Sequence, residues 1–420
     1  MAIIHCASTK LTTFTKDFQT TDTPVTFDLP SRLDGVRVLV LFGGSHLYGQ
    51  GRANLEVFRS LAPLGLKARF LTSRRFGREF IEPELNRLGF EWTRAHFGYQ
   101  WGRYMLGRYF YYVFINLFSI LATSWTVWQE IRRWRPTHLY APNWSYLLYA
   151  WLAVVWSRLP LIYRNGEEFP SHSLMHRSAM RQIAHSVSRL ICISQFLASG
   201  AVKAGFHGER IEIIYNHPPV RGAATALSLA KQPADSVVLL YVGQMVEGKG
   251  IRLLVEASVE LIRSGRNVCL WLAGKSVWGD PLQQELEQAV ITAGVQDRIR
   301  FFGFVENVPA LFQSGHLHIC PSLWPEGLTN VVLEAKQAGV PSVVFPVGGM
   351  PELIEYKVDG YVCAAVNQVE LTRGIRWFLD DPSRMTEAGR RARASLDDKF
   401  GQARFVRQWT QVFESTKHDR

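Results

Sequence analysis

Two parallel-sheet α/β lobes facing each other across a cleft is the fold class this sequence predicts, on three observations. Short apolar runs alternate with helical stretches in both halves, the rhythm of successive βαβ units. At 420 residues and 47% hydrophobic content the chain can bury two cores, and a single domain of this length would be unusual. The pair Pro218-Pro219, followed by a loose stretch to Asp235, separates the two halves.

Taken in order, residues 1–34 are rich in threonine and read as an extension outside the first core. Val36 to Phe42 is a continuous apolar strand, followed by glycines, a helix from about Arg52 to Leu64 and a second strand from Lys67 to Leu71. Strands at His138 to Ala141, Leu161 to Tyr163, Ile191 to Ser194 and Ile211 to Tyr215 complete a first lobe over residues 35–218. Residues 219–235 form the linker. Val237 to Val242 opens a second lobe over residues 236–394 with another strand and a glycine loop. The terminal segment 395–420 carries a last helix, roughly Gln402 to Thr416. Parallel sheets of this kind bind ligands at the carboxyl ends of their strands, which places the chemistry in the loops facing the cleft.

Tyr109 to Gln129 contains no charged residue and is long enough, at 1.5 Å per residue, to cross a bilayer core of about 30 Å. A crossing would put strands of one sheet on opposite sides of the membrane. A buried lobe helix is therefore the first expectation and a helix with one face in the bilayer interface the second, supported by its Tyr and Trp content. The net charge of +11 belongs entirely to residues 1–218, where 25 Lys/Arg meet 14 Asp/Glu. Such a half invites an anionic partner. Arg103, Arg108, Arg132, Arg133 and Arg135 interleave with Trp101, Tyr104, Trp128 and Trp134, which points to an anionic membrane surface or a lipid-linked acceptor. No nucleic-acid reading motif is present. Five scattered cysteines imply neither disulfides nor zinc, and the apolar start is too short for a secretory signal. A cytoplasmic protein, peripheral on the membrane, is expected.

The chemistry is concentrated at Pro321-Ser-Leu-Trp-Pro-Glu326-Gly327-Leu328-Thr329-Asn330-Val331-Val-Leu-Glu334. Asn330 to Ala338 has no helix breaker and ends at Gly339, so Glu334 lies in a short helix that Thr329 can cap, with Glu326 in the loop before it. First-turn amides and the positive end of the helix dipole suit a diphosphate. Two acceptor-only carboxylates flank it and suit hydroxyls on both sides, which a nucleotide-sugar presents. In the first lobe Gly43, Gly44 and Gly49 would let the backbone approach the sugar diphosphate, and His46 in the same loop is a possible cleft residue. Gly243 to Gly250 fits a phosphate loop only until Gly250, where Ser or Thr is required. Gly49-Gln-Gly51 lacks the third glycine and the acidic residue of a dinucleotide fingerprint. No Asp-x-Asp triplet occurs, so no metal and no cofactor are expected. His316 and His318 read as ordinary strand histidines.

Pro321 to Gly360, continuing through Pro-Val-Gly348-Gly349-Met-Pro-Glu352 and Val-Asp359-Gly360-Tyr, resembles the donor lobe of retaining glycosyltransferases of family 4, which have the GT-B fold of two Rossmann-like lobes. Val242-Gly243-Gln244 through Lys249-Gly250 resembles that family's phosphate-contacting segment. Leu272-Ala-Gly274 resembles its central strand end, and Phe302-Gly303-Phe304-Val305 its base-contacting turn. The resemblance runs from about Val36 to the C-terminus. It implies that Glu326 contacts the donor sugar, Glu334 the ribose and Lys249 the diphosphate, while Gln244 stands where the family has an arginine. It also implies front-face substitution and a terminal helix that crosses back to the first lobe. Asn165, in Arg164-Asn165-Gly166-Glu167, takes the place of the family's first-lobe histidine; Arg164 and Glu167 could grip an acceptor.

The expected function is therefore retaining transfer of a sugar from a nucleotide-diphosphate-sugar to an acceptor hydroxyl, on a saccharide or lipid-linked precursor at the membrane surface. A nucleotide-sugar epimerase on the same fold is one alternative, and a catalytically weak sugar-nucleotide-binding scaffold, given Gln244 and Asn165, is the other.

Overall fold

The computed structural model describes residues 33–44, 49–75, 81–98, 110–169, 174–218, 236–276 and 280–416. Residues 1–32 of the expected extension, the linker 219–235, His46, Trp101, Arg103, Tyr104 and Arg108 lie outside them. The N-lobe sheet contains β1 (Arg37–Phe42), β2 (Lys67–Ser73), β3 (Glu91–Ala95), β4 (His138–Ala141), β5 (Leu161–Asn165), β6 (Arg189–Cys192) and β7 (Ile211–Ile213), all parallel, in the order β3-β2-β1-β4-β5-β6-β7. The C-lobe sheet contains β8 (Val237–Val242), β9 (Val268–Ala273), β10 (Ile299–Gly303), β11 (Leu317–Cys320), β12 (Ser342–Val344) and β13 (Gly360–Val362), also parallel, in the order β10-β9-β8-β11-β12-β13.

Both orders reverse direction at the centre, between β1 and β4 and between β8 and β11. Chains leaving adjacent strands there turn to opposite faces of the sheet and open a crevice, the usual ligand position in such sheets. β4, β9 and β11 are buried throughout and β1 and β8 everywhere but at their ends, which explains the apolar runs of β1, β8 and β9; His138 and His318 are buried among them in β4 and β11. β3 escaped the sequence reading because Glu-Trp-Thr-Arg-Ala shows no apolar run. It is an edge strand, and Arg69 of β2 pairs with its register partner Glu91.

Helix Gln402–Ser415 packs on the N lobe. Phe405, Val406, Trp409, Val412 and Phe413 are buried with Leu55, Phe58 and Tyr140, and Thr416 Oγ1 meets a buried His138 ring nitrogen at 3.0 Å. Helix Phe110–Trp134 covers the apolar segment noted in the sequence. It buries one face and exposes the other. Among the described residues no helix is long and apolar enough to cross a membrane.

His318 is a buried strand residue whose Nδ1 lies 3.0 Å from Ser342 Oγ. Burial pushes its imidazole down to about 3, so it stays neutral.

Candidate active site

The crevice of the C lobe is made by the two segments that leave β8 and β11. The first turns through a short 3-10 helix, Glu247–Lys249. It lies flat on the second because of two glycines. A Cβ on Gly248 would fall inside the Trp324 indole, 1.9 Å from Cε2, and one on Gly250, where φ is +68°, would stand 1.9 Å from the Pro321 carbonyl oxygen. The Leu323 amide donates to the Gly248 carbonyl at 2.9 Å. This docking brings Lys249 Nζ to 2.9 Å from Glu326 Oε1, with both side chains about three-quarters covered. Oε1 is buried and Lys249 is its ion partner, a contact without the alignment of a hydrogen bond.

Helix Asn330–Gln337 follows, and Ala338 ends it before Gly339 at φ +69°. Glu334 is half-buried on it. Thr329 occupies the N-cap position, but its side chain does not cap, which corrects the sequence expectation. Its hydroxyl is buried beside Cys320 and makes no hydrogen bond to the first-turn amides; the Val332 amide donates to the Thr329 carbonyl at 3.1 Å, and the Asn330 and Val331 amides at the helix start are left to another acceptor. Behind the site, Lys336 on the same helix is buried against Asp359 and donates to Ser395 Oγ at 3.0 Å. Burial lowers the Lys336 ammonium and Asp359 works against that shift.

Gly243 ends the β8 turn. Gln244 is exposed, with its carbonyl accepting from Tyr241 Oη at 2.7 Å. Gly303 at φ +65° closes β10, its carbonyl accepting from Gly274 at 2.7 Å, and Val305 is half-buried against the C-lobe core. Leu328 is buried, Val331 is half-buried, and Gly327 lies against the Gly166 carbonyl of the N lobe.

The N-lobe residues take different places. Gly49 is the first residue of helix Gly49–Leu61, and its carbonyl accepts from Asn330 Nδ2 at 3.3 Å. Two helix N-termini thus meet across the cleft, and Lys249 pairs with Glu326 in the loop that leads into the second of them; helix dipoles and free first-turn amides favour an anion. The space at Gly43 is filled by the Phe97 ring, 2.7 Å from where a Cβ would stand, so this glycine serves packing and not phosphate approach; Gly44 meets the Tyr146 hydroxyl.

Arg164 does not face an acceptor. It is 1% exposed, and its guanidinium donates to Asn54 Oδ1 at 3.2 Å and to Asn216 Oδ1. Asn216 Nδ2 donates to Asn330 Oδ1 at 2.6 Å, and Tyr140 Oη donates to Asn54 Oδ1, also at 2.6 Å. A polar chain therefore runs from the N-lobe core to the first residue of the donor helix. Asn165 is equally buried, its Oδ1 accepting from Tyr163 Oη at 3.3 Å, so it is not a surface contact for an acceptor sugar. Glu167 accepts from Asn143 Nδ2 and burial raises its carboxyl. It lines an 800 Å³ cavity with Trp144, Phe169, Met180 and Phe196 at the carboxyl ends of β4 and β5.

Glu352 joins the two lobes, a role with no local sequence signal. Its carboxylate leaves the C lobe and accepts from the Gln195 and Phe196 amides, both at 2.7 Å, at the start of N-lobe helix Gln195–Ala204. Tyr215 Oη donates to it at 2.9 Å. Nothing in Pro-Glu352-Leu-Ile marks such a cross-lobe cap.

Two family models match, glycosyl transferases group 1 over residues 230–395 and a glycosyl transferase 4-like domain over residues 48–217. Among relatives, alpha-D-kanosaminyltransferase of Streptomyces kanamyceticus is 33% identical over 150 residues, 35% of this chain and 38% of its own length. The lipopolysaccharide core biosynthesis glycosyltransferase LpsD of Rhizobium meliloti is 27% identical over 230 residues, 54% of this chain and 64% of its own. The chain thus matches less than two thirds of the length of these curated relatives. Anabaena HepE, solved with UDP and glucose, superposes with a TM-score of 0.71 at 20% identity, covering 90% of this chain and all of that one. A glycosyltransferase from Rickettsia africae superposes at 0.75 with 14% identity, covering 92% and 99%. At these identities the likeness establishes the fold, two Rossmann-like lobes of the GT-B type.

Proposed function

This chain belongs to the glycosyl transferases group 1, and from that membership we propose that it moves a sugar from a nucleotide-diphosphate-sugar to an acceptor hydroxyl with retention at the anomeric carbon. The observation that carries the reading is the Lys249–Glu326 pair in the loop that leads into helix Asn330–Gln337, together with the meeting of that helix's N-terminus with the N-terminus of helix Gly49–Leu61. Lys249 and the first-turn amides of helix Asn330–Gln337 take the diphosphate, whose developing charge they stabilise as the bond from C1 to the phosphate oxygen breaks. Glu326 accepts a donor-sugar hydroxyl as oxocarbenium character builds, and Glu334 holds the ribose. The acceptor oxygen bonds to C1 on the face the diphosphate leaves, and a phosphate oxygen takes its proton. No metal is invoked: Lys249 and the helix amides supply the positive charge.

The acceptor is a lipid-linked saccharide or polysaccharide precursor presented at the cytoplasmic face of a membrane, a reading supported by the positive charge of residues 1–218. The cavity beside Glu167 is its entry.

The test is equilibrium binding of UDP, GDP, ADP and NAD to the purified chain and to Glu334→Ala. A hydrogen bond to a charged group contributes about 1.5–3 kcal/mol, so one base-selective diphosphate should bind roughly tenfold to a hundredfold more weakly to the variant. Binding indifferent to Glu334, or none, overturns the reading. The anomeric configuration of the product, read by proton NMR, tests retention separately.

A further inference from the structure

Helix Phe110–Trp134 has the reverse of the amphipathicity that water favours. The face it turns into the N lobe carries Asn116, Ser119, Thr123, Ser124 and Glu130, all buried, with Val127 and Trp134 joining the core only in its last turns. The opposite face carries Phe114, Leu117, Phe118, Leu121 and Trp125, between 51% and 63% exposed. Their spacing makes one continuous stripe along the helix. The orientation is anchored from inside: Ser124 Oγ donates to the Tyr149 carbonyl at 3.1 Å, and Glu130 pairs with Arg69 at 2.9 Å. The neighbouring helix Trp151–Ser157 packs alongside and exposes Val155 and Trp156, the latter by 72%. An apolar surface of this extent, selected against a buried polar face, marks contact with something other than water.

The charges at its ends indicate what that is. At the N-terminal end Arg74, Arg75 and His96 line a 350 Å³ cavity together with Phe114, Ile115 and Phe118 of the stripe. At the C-terminal end the Arg132 guanidinium lies over the Trp128 ring at 4.0 Å, Trp128 stacks on Trp125 at 5.1 Å, and Arg133 is exposed beside it. Apolar side chains in the middle and cations at both ends match an anionic membrane interface, where rings sit at headgroup level and guanidiniums meet phosphates.

We propose that this face of the N lobe is a membrane-docking surface. It sinks Phe114, Leu117, Phe118, Leu121 and Trp125 below the headgroups of an anionic bilayer and seats a phospholipid phosphate in the cavity between Arg74, Arg75 and His96. The proposal rests on the membrane-surface part of the proposed function and gives it a structural element. The helix lies along the interface and does not cross it.

The experiment is co-sedimentation of the full chain with vesicles of phosphatidylcholine alone and of phosphatidylcholine with phosphatidylglycerol. Binding to the anionic vesicles is expected. The double variant Phe118→Ser/Leu121→Ser should bind both kinds at least about tenfold more weakly. The double variant Arg74→Ala/Arg75→Ala should lose about tenfold on anionic vesicles alone. Soluble glycerol phosphate at millimolar concentration should not compete, which separates a bilayer headgroup from free phosphate. Both variants should keep the wild-type unfolding midpoint and diphosphate affinity. Wild-type chain that ignores anionic vesicles, or variants that bind like wild type, would overturn the proposal. A concentration-dependent dimer abolished by Phe118→Ser/Leu121→Ser would assign the face to a second copy instead and also overturn it. Vesicle binding that persists without diphosphate binding would sink the transferase reading and leave the docking surface standing.

Discussion

The loops at the carboxyl ends of the two sheets are built from similar residues, glycines, asparagines and charged side chains, yet those of the two lobes do different work. In the C lobe Lys249 and Glu326 stand beyond the ends of β8 and β11 and reach the cleft. In the N lobe Arg164 and Asn165 are the last two residues of β5 itself, and both are buried. The difference is whether the residue lies inside its strand or in the loop beyond it. A residue inside a central parallel strand is covered on both faces of the sheet, whereas one just past its end is not. Placing the end of β5 at Tyr163 turned Arg164 into a loop residue that could grip an acceptor. The structure makes it the centre of a buried polar chain that ends on the donor helix.

That contrast can be tested, beginning with the residue whose loss should cost most. Lys336→Ala would leave Asp359 buried without its cation behind the donor helix, and about 3–5 kcal/mol of stability should be lost in urea unfolding. A near-neutral result would mean the C lobe does not depend on this pair.

Arg164→Ala would take away the donor to Asn216 Oδ1 and leave Asn54 Oδ1 with Tyr140 alone in the N lobe. A loss of about 1.5–3 kcal/mol in unfolding free energy is expected, with diphosphate binding weakened as well because Asn330 loses its support. Unchanged stability with only a raised acceptor KM would restore the acceptor role and break the comparison.

Glu352→Ala should cost about 1 kcal/mol, the worth of a helix cap, and enlarge the radius of gyration in small-angle scattering as the lobes loosen. An unchanged radius would show that the other cross-lobe contacts suffice.

The smallest effect is expected at Glu167. Burial raises its folded-state pKa, so its contribution is fully present below the ordinary carboxyl range and is lost as pH rises through the raised value. Glu167→Gln should therefore match wild type near about pH 4 and exceed it in thermal stability near about pH 8. The opposite order would show that Asn143 stabilises the ionised form.

The α/β class and the positions of many strands were legible in the residues alone, because a parallel sheet buried on both faces writes its strands as apolar runs. The residues alone also placed the two carboxylates around a helix start, since caps, glycines and spacing are local signals. Contacts between distant segments were not legible there, because they depend on how the folded chain brings those segments together. Gly248 lies under Trp324 and so brings Lys249 to Glu326; Glu352 reaches across to the Gln195 amide; the hydroxyl of Thr329 turns to Cys320. The face that the apolar helix Phe110–Trp134 turns inward was equally undecided by composition. Its rotation depends on which polar partners, Tyr149 and Arg69, the rest of the lobe offers to its buried side.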